Sequence, residues 1–144
     1  MSYNLITKQV TVFLRQIKYA NGIALSKDKD YVLVSEIGNL QILRYWLQGP
    51  KAHTVEVFVE LMGAGDNINL NQDGSYWAAL NNGQPAGNYT FNNEVIAVKI
   101  NKDGQIVQSL EGDGWIQSVS EIKEHDGKLL VGSVGMPYVG ITCG

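Results

Sequence analysis

Short runs of β-branched and aromatic residues alternate with polar, glycine-bearing breaks along almost the whole chain, and no stretch sustains a helical period. The runs predict strands at Val10–Leu14, Ile23–Leu25, Tyr31–Glu36, Gln41–Leu47, Val55–Leu61 and Asn67–Leu70. They continue at Tyr76–Leu80, Glu94–Ile100, Ile106–Leu110, Val119–Lys123, Leu129–Ser133 and Tyr138–Thr142. Between them stand Asn71-Gln72-Asp73-Gly74, Asn101-Lys102-Asp103-Gly104 and His125-Asp126-Gly127. Asp-Gly between two strand-like runs marks a hairpin, because glycine takes positive φ at no steric cost. The pattern predicts an all-β fold.

The pattern also repeats. The stretch Asn21-Gly22-Ile23-Ala24-Leu25-Ser26-Lys27-Asp28-Lys29-Asp30-Tyr31 lies without a gap over Asp66-Asn67-Ile68-Asn69-Leu70-Asn71-Gln72-Asp73-Gly74-Ser75-Tyr76. A looser third copy runs from Ser118 to Ser133. Four strands per unit, with a period in the range of about 40–50 residues, is the signature of a β-propeller blade. Ile23, Tyr31, Gln41 and Val55 begin the strands of one blade, and Asn67, Tyr76, Glu94 and Ile106 those of the next. Parts of two further blades flank them. Residues 1–144 therefore form one partial propeller, and Trp46, Trp77 and Trp115 are expected between blades. A closed ring needs at least about four blades. The chain reads as a fragment of a longer protein rather than as half of an assembly.

Composition narrows the function classes. Eleven basic and fourteen acidic residues are scattered along the chain, giving a net charge of −3 and no footprint for nucleic acid or a membrane surface. No apolar run approaches the roughly 18 residues of a membrane span. The first eight residues lack the apolar core of a signal peptide. The single cysteine, Cys143, rules out an internal disulfide. Asn88-Tyr89-Thr90 is an N-glycosylation sequon, a weak pointer to the secretory pathway.

In a propeller the innermost strand of each blade borders the central channel. Asn21 and Asp66 open that strand in successive blades, so both are expected at one mouth of the channel. An amide oxygen beside a carboxylate suits a hard cation such as calcium, which takes six to eight oxygen ligands at about 2.3–2.6 Å. Asn and Asp before a strand also satisfy local backbone groups in turns, and spacing alone leaves the two readings level. Other chemistry is absent: there is no nucleophile elbow, P-loop, His-Glu-x-x-His or Cys-x-x-Cys. His53 and His125 fall in loops, and Cys143 lies at the chain end. Asp28 and Asp30 begin like an EF-hand loop, but Val32 occupies the next ligand position.

Several strings together resemble the plant strictosidine synthase-like family. They are Ala20-Asn21-Gly22-Ile23-Ala24-Leu25-Ser26, Arg44-Tyr45-Trp46-Leu47-Gln48-Gly49-Pro50-Lys51, Gly65-Asp66-Asn67-Ile68 and Glu124-His125-Asp126-Gly127-Lys128-Leu129. The resemblance runs from about Tyr3 to Thr142, and the Arg-Tyr-Trp-Leu string is its most specific part. It implies a propeller of six four-stranded blades, of which this chain is roughly the C-terminal half. It further implies a vacuolar or extracellular glycoprotein whose targeting signal and ring-closing N-terminal blades lie outside this segment.

The wider superfamily includes calcium-dependent paraoxonase-like and gluconolactonase-like hydrolases. Their metal is held by an Asn in an Asn-Gly pair and an Asp in an Asp-Asn or Asp-Gly pair, which Asn21, Asp66 and Asn67 match. The alkaloid-forming members instead use a glutamate base in a stretch like His-Phe-Glu-x-Ile-x-Glu-His-Asp-Gly, and they lose the metal asparagine. Here Ser118, Val119 and Ser120 stand in that stretch, and Glu121 is one residue off, on the opposite strand face. The resemblance thus implies a divalent-metal-dependent hydrolase of esters or lactones, with this segment inactive on its own. A non-catalytic propeller scaffold is the alternative, and a condensing enzyme of alkaloid synthesis is the third reading. Asn81, after the Tyr76–Leu80 run, is expected near the same mouth without an assigned role.

Overall fold

The computed structural model describes residues 1–81, 95–112 and 116–143. It is all-β. Strands β1 (Ser2–Tyr3) and β2 (Val10–Thr11) form a short antiparallel ribbon. Strands β3 (Ala20–Leu25), β4 (Tyr31–Glu36), β5 (Gln41–Trp46) and β6 (Val55–Glu60) make a four-stranded antiparallel sheet in sequence order. Strands β7 (Gly65–Leu70), β8 (Tyr76–Leu80), β9 (Val95–Ile100) and β10 (Ile106–Glu111) repeat it. Strands β11 (Val119–His125), β12 (Lys128–Ser133) and β13 (Gly140–Cys143) form a third sheet of the same order. The expected Val10–Leu14 strand is cut short, because the chain leaves the ladder after Thr11 and stacks Phe13 on Tyr45, ring centroids 5.7 Å apart.

The sheets stack face to face, with β3 beside β7 and β7 beside β11, so the first strand of each sheet lies innermost. One core fills the space between the first two sheets, around Leu33, Ile42, Phe58, Ile68, Tyr76 and Val98. A second fills the space between the second and third, around Trp77, Ala97, Val119, Ile122 and Val131. All five residues of β8 are buried, as a strand in a doubly covered sheet requires. Trp46 and Trp77 do lie between blades, Trp46 in the first core and Trp77 in the second. Trp115 and the Asn88 sequon lie outside the described residues. Among the described residues no helix is long and apolar enough to cross a membrane.

The gapless repeat holds along the inner strands and then slips. Leu25 pairs with Val32, across six intervening residues, whereas Leu70 pairs with Tyr76 across five. A one-residue slip in a strand reverses which face each side chain occupies. Tyr31 and Tyr76, matched by the repeat, therefore do not take equivalent places. They face each other across the first core, with Tyr76 Oη donating to Tyr31 Oη at 3.1 Å.

The hairpins follow their turn chemistry. Gly74 and Gly104 each take φ of +86°, closed by Asn71 N–H to Ser75 O at 2.8 Å and Asn101 N–H to Gln105 O at 2.9 Å. His125 sits in an exposed two-residue hairpin whose Asp126 and Gly127 both have positive φ. In the first blade, exposed Lys29 takes the left-handed conformation instead, at φ of 60°. A side chain there costs about 1–2 kcal/mol, and glycine returns part of that through its unfolded-state entropy. Lys29→Gly is expected to stabilise the chain by about 0.5–1 kcal/mol, read as a rise of about 3 °C in thermal midpoint.

Candidate functional site

Each inner strand breaks its ladder at the same place. The register shifts by one residue between Ala20 and Ile23, between Gly65 and Ile68, and between Val119 and Glu121. Such bulges bend a strand and re-aim the residues in it. They fall on Asn21-Gly22, Asp66-Asn67 and Ser120, so Asn21, Asp66 and Ser120 occupy equivalent positions at one end of three neighbouring strands.

The first two bulges are packed directly on each other. A Cβ built on Gly22 would overlap the Asp66 carbonyl oxygen and lie 2.9 Å from both Asn67 Cα and Ile68 N. Only a hydrogen at this position lets β3 and β7 approach so closely. The backbones of Asn21-Gly22 and Asp66-Asn67 thereby adjoin, although they lie 45 residues apart in sequence. Their environments differ. Asn21 is exposed and borders a groove of about 570 Å³ between the 13–17 segment and the outer face of the first sheet. Asp66 is only 8% exposed, and its Oδ2 accepts an N–H from Asn81 Nδ2 at 3.1 Å.

Asn67, the third expected ligand, is turned towards the next blade. Its Nδ2 donates to Glu121 Oε2 at 2.9 Å, and Asn69 Nδ2 donates to Glu121 Oε1 and, at 2.8 Å, to Ile122 O. Glu121 is thus held by β7 rather than standing in for a base at position 120. Among the described residues no three His, Cys, Asp or Glu side chains gather as a metal cluster. Asn21 and Asp66, on adjoining strand ends, offer amide and carboxylate oxygens, donor types that calcium accepts and a soft metal does not.

Sequence reasoning missed Glu36. This carboxylate is 3% exposed at the end of β4, opposite Ala20 and therefore beside the first bulge. It accepts from Lys18 N–H at 2.8 Å and Gln41 Nε2 at 2.6 Å. Burial alone would raise its pKa, but these bonds, with Asn39 and the Lys18 charge, hold the carboxyl below its ordinary value. It anchors the segment that leads into Asn21. A charged residue closing a mostly apolar strand was the available signal.

The family model for strictosidine synthase matches residues 1–50. Protein strictosidine synthase-like 10 of Arabidopsis thaliana is 34% identical over 98% of this chain and 46% of its own length. A gluconolactonase from Xanthomonas campestris superposes with a TM-score of 0.63 at 16% identity, over 83% of this chain and 36% of that one. The calcium-binding protein regucalcin from Agrobacterium tumefaciens does so with a TM-score of 0.62 at 17% identity, over 86% and 41%. These folds are propellers, so the three stacked sheets are propeller blades. The chain spans less than half the length of the curated relative and of both structures. Sequence likeness along nearly its whole length, on blades stacked as in these propellers, makes this chain a segment of the strictosidine synthase-like family.

Proposed function

We propose that this chain supplies one side of a calcium-dependent site in a propeller hydrolase acting on esters or lactones. The observation that supports the reading is the contact between the first two bulges, where the Asn21-Gly22 and Asp66-Asn67 backbones adjoin at one end of the inner strands. Asp66 would give the charged oxygen and Asn21 a neutral one, and Asn67 would join through Oδ1, its amide nitrogen being engaged by Glu121. When bound, calcium would polarise a substrate carbonyl and stabilise negative charge on its oxygen. The chain's own part is to hold these oxygens together and, through Asn81, to orient the Asp66 carboxylate. The gluconolactonase and regucalcin likenesses agree with this reading in fold. Ser120 in place of a glutamate, with Glu121 tied to Asn67 and Asn69, favours hydrolysis over condensation.

Calcium titration of the 15N-labelled chain tests the site. Millimolar calcium is expected to shift the backbone signals of Asn21-Gly22 and Asp66-Asn67 together, with one midpoint, and Asp66→Ala to abolish both responses. Movement of one pair alone would sink the shared site. Turnover is tested on a complete ring with aryl esters and lactones, with and without calcium. Calcium binding without turnover would support the scaffold reading instead.

A further inference from the structure

We propose that Asn81 is a positioning residue that holds the Asp66 carboxylate in the orientation calcium requires, an inference that rests on the metal reading above. All three blades make the same backbone bond just beyond the second strand. These bonds are Ile37 N–H to Tyr19 O at 3.1 Å, Asn81 N–H to Ala64 O at 2.8 Å and Val134 N–H to Ser118 O at 3.1 Å. Three equivalent backbone positions thus carry Ile37, Asn81 and Val134. A purely structural demand at this place is met by an apolar side chain in two blades out of three. The amide occurs in the one blade whose bulge carries a carboxylate, where the other two carry Asn21 and Ser120.

The geometry matches that coincidence. The bulge between Gly65 and Ile68 takes Asp66 out of the strict alternation of β7, and the backbone bond to Ala64 fixes where Asn81 begins. From there Asn81 Nδ2 reaches Asp66 Oδ2 at 3.1 Å, beside a carboxylate only 8% exposed. An N–H donor on one carboxylate oxygen restricts its rotation, leaving the group aimed. Partners that orient a metal ligand in this way are worth about 10–100-fold in metal affinity.

The experiment uses this chain with labelled side-chain amides, in two parts. Without metal, the Asn81 side-chain amide protons are expected to exchange slowly with solvent, a protection that is lost in Asp66→Ala. With calcium, Asn81→Ala is expected to weaken the midpoint at Asp66-Asn67 by about tenfold or more. Should Asn81→Ala fail to fold, Asn81→Leu decides the matter. It keeps the bulk and, like Ile37 and Val134 in the other blades, offers no donor, so the calcium midpoint should weaken by the same factor. An unchanged calcium midpoint in the variant that folds overturns the positioning role. Unprotected Asn81 amide protons with calcium binding intact overturn that role alone. Protection that depends on Asp66 in a chain that never responds to calcium overturns the metal reading, and with it the purpose assigned to Asn81, while the contact stands.

Discussion

Gly22→Ala is expected to cost the chain its folded state at moderate temperature. The residue is buried on the face of β3 that meets β7, and its φ is not in the left-handed region, so the demand is for space alone. The added methyl would meet the Asp66 carbonyl, Asn67 Cα and Ile68 N, all of them backbone atoms. A side chain can rotate away from a new neighbour, but this stretch of β7 is fixed by its ladder to β8 and by Ser35 Oγ donating to Gly65 O at 2.6 Å. Overpacking of cores costs about 1–3 kcal/mol and more where nothing can yield. We expect at least about 3 kcal/mol here, a large share of the stability of an ordinary domain. Urea melts followed by circular dichroism and tryptophan fluorescence read the loss. A variant melting within a few degrees of the wild type would show that β3 and β7 do not meet as described.

The same contact marks the limit of what was legible in the sequence. Alternation and turn residues placed β4 and β8 residue for residue, because Tyr31–Glu36 and Tyr76–Leu80 are β-rich runs closed by polar breaks. The repeat gave the blades, since each hairpin carries its own turn signal. It did not reveal the extra residue in the first hairpin, because Asp28 and Asp73, like Tyr31 and Tyr76, match at the gapless offset. Nor were the bulges readable, as a bulge belongs to the pairing of two strands and not to one strand's pattern. The equivalence of Asn21 and Asp66 was readable because position in the repeat sufficed. The Asn81 partnership depends on the bulge and on a bond across strands, so its role stayed unassigned until the geometry was in view. The Arg44 to Lys51 string marked the family without explaining itself.

That string has a physical account, and it carries the second large effect. Arg44 and Glu56 face each other across β5 and β6, with Nε at 2.8 Å and Nη2 at 2.5 Å from Glu56 Oε1. Trp46 Nε1 donates to the same oxygen at 3.0 Å, and Lys51 Nζ to Oε2 at 3.1 Å. The guanidinium also lies over three rings, 4.6 Å from Trp46, 5.0 Å from Phe58 and 5.2 Å from Tyr31. Arg44, Trp46 and Lys51 of the string thus converge on one carboxylate beside the first core. Lys51, Arg44 and Trp46 together hold the Glu56 carboxyl down to about 2, from an ordinary 4.5. A carboxyl with a depressed folded-state pKa stabilises fully above its unfolded value, and that contribution fades as pH falls towards the folded one. The window here is therefore about pH 4.5 down to about 2. Because Glu56 is about a third exposed, solvent screens part of this, and Lys51, more exposed still, adds little. Glu56→Ala would leave the Arg44 guanidinium and the Trp46 N–H without their acceptor, at a cost of about 2 kcal/mol at pH 7. The gap in thermal midpoint between Glu56→Ala and wild type should be about 5 °C at pH 7, narrower at pH 3 and nearly closed at pH 2. A gap that stays constant across that range would show that packing of the Glu56 stem, rather than its charge, is what holds the Arg44 cluster in place.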